Sequence, residues 1–192
     1  EAIDAMWFAA QVITALQQAI SRTQNPLRPM VLSLGQISGG RAPNVIADQV
    51  RMAGTVRSLH PETHAQLPEW IEGIVASVCQ TYGAKYEVNY RRGVPSVQND
   101  AQLNKLLENS VRQAWGEEAL QLIPEPSLGA EDFALYLEHS PGAMFRLGTG
   151  FGDRPMNHPL HHPRFEADET AILTGVVTLS YAAWQYWQSV PV

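Results

Sequence analysis

The stretch Leu67-Pro68-Glu69-Trp70-Ile71-Glu72-Gly73-Ile74-Val75-Ala76-Ser77-Val78-Cys79-Gln80-Thr81-Tyr82-Gly83, continued by Ala84-Lys85-Tyr86-Glu87-Val88-Asn89-Tyr90, changes its period midway. Leu67, Trp70, Ile71, Ile74, Val75, Val78 and Tyr82 recur at three and four, which puts them on one helix face, and Gly83 stands where a left-handed terminator belongs. Beyond it Ala84, Tyr86, Val88 and Tyr90 alternate with polar residues, the period-2 signature of a strand. A helix feeding a strand through a glycine is the pivot of the fold, and the rest of the first half arranges itself around it.

Upstream, Met6, Trp7, Ala10, Ile13, Leu16 and Ile20 form an apolar stripe that predicts a helix over about residues 3–22, closed by Asn25-Pro26. Residues 30–37 alternate with Met30, Leu32 and Leu34 on one side, and residues 50–57 with Val50, Met52, Gly54 and Val56. The Gly39-Gly40 to Asp48 connection joins them as a hairpin. Helix, strand, strand, helix, strand is a split βαβ unit without its first strand, which is expected just upstream of Glu1. The chain opens without methionine on an immediate helical pattern, and reads as cut there.

Composition changes at Gly93-Val94-Pro95, after which Asn99-Asp100 caps a helix carrying Leu103, Leu106, Leu107, Val111 and Trp115. A short strand near Leu120 to Ile123, a helix from Glu131-Asp132 and a strand from Ala143 to Gly148 follow. The last helix is expected from about Asp168 to Trp187, with Ile172, Leu173, Val176, Leu179 and Ala183 as its core stripe. The reading is α/β of the α+β kind, in two domains, 1–95 and 96–192. So few strands do not make a sheet of ordinary width, and the second domain needs more polypeptide.

Composition excludes several function classes. With 45% apolar residues over 192 the chain fills a core, and no apolar run approaches the ~20 residues of a membrane span. A net charge of -6 with scattered basic residues opposes a phosphate-binding footprint, so nucleic acid is not an expected partner. Tyr86 and Tyr90 share a strand face, but an RNA-binding sheet requires aromatics on adjacent strands in basic surroundings, and the acidic balance of the chain opposes that reading. One cysteine, Cys79 among Ile74, Val75 and Val78, permits no internal disulfide and reads as a buried thiol. A cytoplasmic protein is expected.

The chemistry-bearing residues are few. His158, His161 and His162 precede the acids Glu166, Asp168 and Glu169. Imidazole suits zinc, manganese or cobalt, yet a catalytic metal wants about three converging ligands and adjacent loop residues rarely converge. By spacing alone a polar loop before an acid-capped helix is the favoured reading, since the cluster matches no closed zinc-ligand pattern. Arg57 offers a fork that grips a carboxylate bidentately, and Asn44 lies at the far end of the second strand; a surface Arg and a turn Asn remain the plainer reading. In Gly129-Ala130-Glu131-Asp132-Phe133 the two acids suit a first helical turn, where the macrodipole favours negative charge.

Together Gly39-Gly40-x-Ala42-x-Asn44-Val45-Ile46, Gly54-Thr55-Val56-Arg57, Gly129-Ala130-Glu131-Asp132-Phe133, Pro141-Gly142 and His161-x-Pro163-x-Phe165 ending in Asp168-Glu169 resemble one family. It is that of the dinuclear-metal amidohydrolases, which include hippurate hydrolases, N-acyl-amino-acid amidohydrolases and plant auxin-conjugate hydrolases. The motifs occur in family order from about Ile3 to Trp187. The resemblance implies that residues 1–95 are a ferredoxin-like lid lacking its first strand, which also forms a homodimer. Residues 96–192 would be the C-terminal portion of an α/β zinc-peptidase-like catalytic domain.

It further implies His161 as a metal ligand and Arg57, assisted by Asn44, as the grip on the substrate carboxylate, with Gly129 bordering the pocket. Two divalent ions (Zn, Mn, Co or Ni) would serve a complete active site, where a metal-activated water attacks the amide of an N-acyl amino acid and a glutamate carries the proton. The resemblance puts that glutamate, the other ligands and an oxyanion-stabilising histidine upstream of Glu1, in a missing N-terminal segment. No residue present is assigned as catalytic, and the isolated chain is expected to bind metal poorly and to hydrolyse nothing. The alternative is a non-catalytic dimerisation or interaction fragment.

Overall fold

The protein was analysed as a computed structural model, which describes residues 3–154 and 156–189. It is a mixed α and β structure whose contacts divide into two compact units, Glu1–Ser96 with Ser127–Glu131, and Val97–Pro126 with Asp132–Val192.

In the first unit α1 (Ala5–Thr23) begins at Asp4, whose carboxylate accepts from the amides of Met6 and Trp7 and so satisfies two otherwise unpaired donors. Its buried positions are Phe8, Ala9, Val12 and Leu16. The buried face is thus rotated from the expected stripe, leaving Met6 and Trp7 half exposed; Trp7 instead meets Phe8 and Tyr82 edge-on.

β1 (Met30–Gly39) and β2 (Val50–Ser58) form an antiparallel hairpin, in register from Met30 opposite Ser58 to Gly39 opposite Val50. A bulge between Leu34 and Gln36 interrupts the ladder. Met30, Leu32 and Leu34 point inward together with Val50, Met52 and Val56, as the alternation predicts. Gly54 permits the strands' close approach, because a Cβ there would run into the Ser33 carbonyl and lie 3.1 Å from the Leu34 Cα.

α2 (Pro61–Thr81) starts with proline at its first position, where the missing N–H costs nothing. It lays Ile71, Ile74, Val75 and Val78 against Val12, Leu16, Leu32 and Cys79. Cys79 is 4% exposed, and burial pushes its thiol pKa up, so it is a core residue. Gly83, at φ +73°, ends the helix.

Residues 84–90 keep part of their alternation, with Ala84 packed on the core, but join no ladder among the described residues. An alternating pattern fixes two faces of an extended segment, whereas a strand also needs a neighbour for its backbone groups.

In the second unit α3 (Ala101–Trp115) is capped by Asp100, which accepts from the amides of Gln102 and Leu103. Asn99 donates to the Met144 carbonyl and accepts from the Met144 amide, fixing residues 143–148 near the helix start without a ladder. A 3-10 turn (Glu117–Ala119) precedes residues 120–123, which also join no ladder among the described residues.

The helix expected at Glu131-Asp132 is the short α4 (Phe133–Leu137). The last helix, α5 (Ala171–Ser189), packs on α3 around Thr178, Tyr181 and Gln185, with Trp115 Nε1 donating to Thr178 Oγ1 at 3.1 Å and the Tyr181 hydroxyl donating to Gln113 Oε1 at 3.0 Å. Its expected core stripe is therefore corrected: Ile172, Leu173, Val176, Leu179 and Ala183 face away from α3 and are exposed.

Candidate functional site

Arg57 lies on β2 opposite Val31, where alternation turns its side chain to the polar face of the hairpin. Its guanidinium Nη1 donates to the Leu128 carbonyl at 2.9 Å, across 71 positions of sequence. Leu128 belongs to the Ser127–Glu131 segment, which clusters with the first unit although it follows α3 in sequence. The next residue, Gly129, donates its amide to Ser127 Oγ at 3.0 Å, and a Cβ at Gly129 would come to 3.1 Å from that oxygen. Two of the residues singled out in the sequence, Arg57 and Gly129, are thus neighbours through one backbone carbonyl.

With one N–H committed to Leu128, the guanidinium retains donors for an incoming carboxylate. Leu128 escapes sequence reasoning because its contribution is a carbonyl, which every residue carries. The serine two positions before Gly129 is a weak signal of a local turn.

Asn44 lies elsewhere. It sits in the connection after Gly40, in a turn where the Val45 amide donates to the Ala42 carbonyl, at the closed end of the hairpin. Arg57 is one pair from the open end, so about 24 Å of extended strand separates Val50 from Arg57, at ~3.4 Å per residue. Asn44 and Arg57 of one chain therefore do not meet on one carboxylate. Arg41 and Asp48, paired at 2.8 Å, brace the same connection.

His161 occupies a loop of the second unit made of two successive turns. The His162 amide donates to the Pro159 carbonyl and the Phe165 amide to the His162 carbonyl, with Pro163 at the second position of the latter turn. His161 has φ 69° and is the non-glycine residue of positive φ among those described. Histidine visits this left-handed region more readily than most residues, at a cost of about 1–2 kcal/mol, and such outliers gather at functional sites.

Its neighbours are arranged otherwise. The rings of His158 and His162 stack at 4.1 Å and 3°, and His162 Nδ1 accepts from the Arg164 amide. Stacked imidazoles direct their nitrogens outward in the ring planes, not toward a shared point. Among the described residues no three of His, Cys, Asp and Glu converge to hold a cation, so this chain's residues do not by themselves fit a metal centre. His161 can offer one exposed imidazole.

A polar network that the motifs did not signal supports this loop. Asn157 accepts from the Phe151 amide and donates to its carbonyl, while Arg154 lies 3.6 Å over the Phe151 ring and pairs with Glu166. Hydrogen bonding to Arg154, then its charge and that of His158, hold the Glu166 carboxyl below its ordinary range. Asp168 accepts from the hydroxyl and amide of Thr170, which lowers its pKa similarly, and its own amide donates to the Thr149 carbonyl.

Both carboxyls are depressed in the folded state, so their contribution is complete above the ordinary carboxylate values of 4.5 and 3.8 and is lost as pH falls through the depressed ones. We expect Glu166 to titrate below 4.5 by carbon-13 NMR and to return toward that value in Arg154→Gln. An unchanged titration in the variant would show that Arg154 is not the cause.

Residues 9–185 match the family described as Peptidase family M20/M25/M40. The chain is 92% identical over its whole length to a probable hydrolase of Synechocystis sp., covering 49% of that protein. It is 39% identical over 86% of its length to the N-acetyl-L-cysteine deacetylase of Bacillus subtilis, covering 38% of it.

Among solved structures it resembles the B. subtilis YXEP protein, described as a dinuclear metal binding peptidase from M20 family (TM-score 0.80, 30% identity, 98% of this chain and 47% of that one). A putative aminohydrolase from methicillin resistant Staphylococcus aureus is also similar (TM-score 0.83, 26% identity, 95% of this chain and 46% of that one). The chain spans about half the length of the Synechocystis relative and of both structures. Its helices, hairpin and His-bearing loop are those of a member of peptidase family M20/M25/M40, to which it belongs.

Proposed function

We propose that this chain is the carboxy-terminal part of a metal-dependent amidohydrolase that cleaves N-acyl amino acids, and that it supplies the carboxylate grip and one metal ligand. The observation that carries the reading is the Arg57 guanidinium anchored at the Leu128 carbonyl beside Gly129. A planar cation held at one edge and open at the other suits a carboxylate-bearing amino-acid end. The names of the relatives, an N-acetyl-L-cysteine deacetylase and a putative amidohydrolase among them, support the same substrate class.

In this reading Arg57 orients the substrate by its carboxylate and the Ser127–Gly129 turn borders it. His161 provides one ligand to a divalent ion whose other ligands, and the glutamate that moves the proton, come from polypeptide outside this chain. Residues 1–95 act as a ferredoxin-like lid through which two copies pair, and the complete protein works in the cytoplasm. The isolated chain then hydrolyses nothing.

His161→Asn tests this in a polypeptide that joins the chain to the unmatched half of the Synechocystis relative. Asparagine tolerates the left-handed backbone and removes the imidazole, so folding is retained. Equilibrium dialysis against zinc should show affinity lowered by about tenfold or more, with hydrolysis of N-acetyl amino acids lost together with the metal. Full metal content and full hydrolysis in the variant would overturn the assignment. Unchanged self-association with no hydrolysis in either protein would favour a non-catalytic interaction fragment.

A further inference from the structure

We propose that Ser127 is a positioning residue, which aims the Arg57 guanidinium by holding the peptide between Leu128 and Gly129 in one orientation. The proposal rests on the reading of Arg57 as the carboxylate grip. That peptide is engaged at both ends. Its carbonyl, on Leu128, accepts from Arg57 Nη1 at 2.9 Å, and its amide, on Gly129, donates to Ser127 Oγ at 3.0 Å. In a planar trans peptide the C=O and the N–H point in opposite directions, so fixing one fixes the other. The hydroxyl that takes the Gly129 amide therefore turns the Leu128 carbonyl the opposite way, onto the guanidinium that β2 carries.

The bond from Gly129 back to Ser127 spans two residues, the spacing at which a serine hydroxyl closes a turn on its own backbone. Glycine leaves the acceptor its room, because a Cβ at position 129 would press on Ser127 Oγ at 3.1 Å. Ser127 and Gly129 are exposed, where water competes for both groups, so the bond adds little to folding. Its consequence is directional. A peptide bonded at its amide also presents a more polarised carbonyl, which strengthens the contact with Arg57. Without the hydroxyl the Leu128 carbonyl swings with its backbone, and Arg57 keeps its charge but loses its fixed plane.

The test uses the polypeptide that joins the chain to the unmatched half of the Synechocystis relative. Ser127→Ala should lower kcat/KM for an N-acetyl amino acid by roughly 3- to 10-fold, the size of one neutral hydrogen bond. The loss should fall mainly on kcat, because the charge that draws the carboxylate is still in place and only its orientation is gone. Ser127→Thr keeps the hydroxyl and should restore most of the rate. In an Arg57→Ala background Ser127→Ala should have no further effect, since the two side chains act on the same peptide as one unit. The urea midpoint of Ser127→Ala should match that of the unsubstituted protein, which separates aiming from folding.

No loss in Ser127→Ala, or the same loss with and without Arg57, would overturn the proposal. A second readout needs no hydrolysis. In protein carrying nitrogen-15 arginine, the bond to Leu128 should slow rotation of the Arg57 guanidinium about Cζ–Nε, and NMR should find that rotation faster in Ser127→Ala and slowed again in Ser127→Thr. Equal rotation in Ser127→Ala and the unsubstituted protein would also overturn it. Rotation that depends on Ser127 with no hydrolysis in any of these proteins would keep the aiming role and sink the amidohydrolase reading. Hydrolysis that Arg57→Ala lowers and Ser127→Ala does not would do the reverse.

Discussion

Arg57→Ala is expected to lower kcat/KM for an N-acyl amino acid by roughly 10- to 100-fold in the complete enzyme, the worth of a charge-assisted bidentate contact of about 1.5–3 kcal/mol. The physical reason is the geometry of the fork. One N–H of the guanidinium is held 2.9 Å from the Leu128 carbonyl, which fixes the plane of the group before substrate arrives. A fixed plane converts into substrate orientation, so kcat should fall together with affinity.

Arg57→Lys keeps the charge and loses the plane, and should recover only part of the rate. The control is an N-acyl amine of the same size without a carboxylate, whose slower hydrolysis should be indifferent to the substitution. Equal losses on both substrates would show that Arg57 serves only to tie the Ser127–Glu131 segment to the hairpin, and would remove it from the binding site.

Leu67→Ala is the substitution expected to cost most in stability, about 2–5 kcal/mol by urea unfolding. Leu67 is 1% exposed, in the first half of α2 and immediately before Pro68. A proline inside a helix removes a backbone hydrogen bond and clashes with the preceding turn, at about 3 kcal/mol. Burial of the apolar face is what keeps the segment helical through that break, and Leu67 is its most enclosed side chain there. Val176→Ala in this chain by itself is the counterpart: a change of similar kind on an exposed face, expected to stay within about 0.5 kcal/mol. A Leu67→Ala loss below about 1 kcal/mol would mean that α2 is held by its later turns, at Ile71, Ile74 and Val78, and not by its first.

What was legible in the sequence was what local chemistry decides. Asp100 before an apolar periodic run marks the start of α3 because a carboxylate satisfies amide donors two and three residues on. Gly83 marks the end of α2 because a positive φ is open to glycine. Met30, Leu32 and Leu34 mark the inner face of β1 because successive side chains of a strand point to opposite sides. Arg57, Gly129 and His161 are singled out by the resemblance; residue type and spacing alone leave a surface Arg, an acid-capped helix start and a polar loop as the plainer readings.

Tertiary structure alone decided the rest. That Arg57 reaches the segment of Gly129 depends on a carbonyl 71 positions away, and backbone groups carry no residue signature. That Asn44 stands at the other end of the hairpin depends on which residues pair. Residues 84–90 alternate like a strand but gain a ladder only from a neighbour, which is a property of two segments and not of one. The stripe of α5 is the plainest case. Periodicity reveals that Ile172, Val176 and Leu179 share a face, but whether that face is core or surface is settled by what packs on it, and α3 meets the side of α5 that carries Thr178, Tyr181 and Gln185.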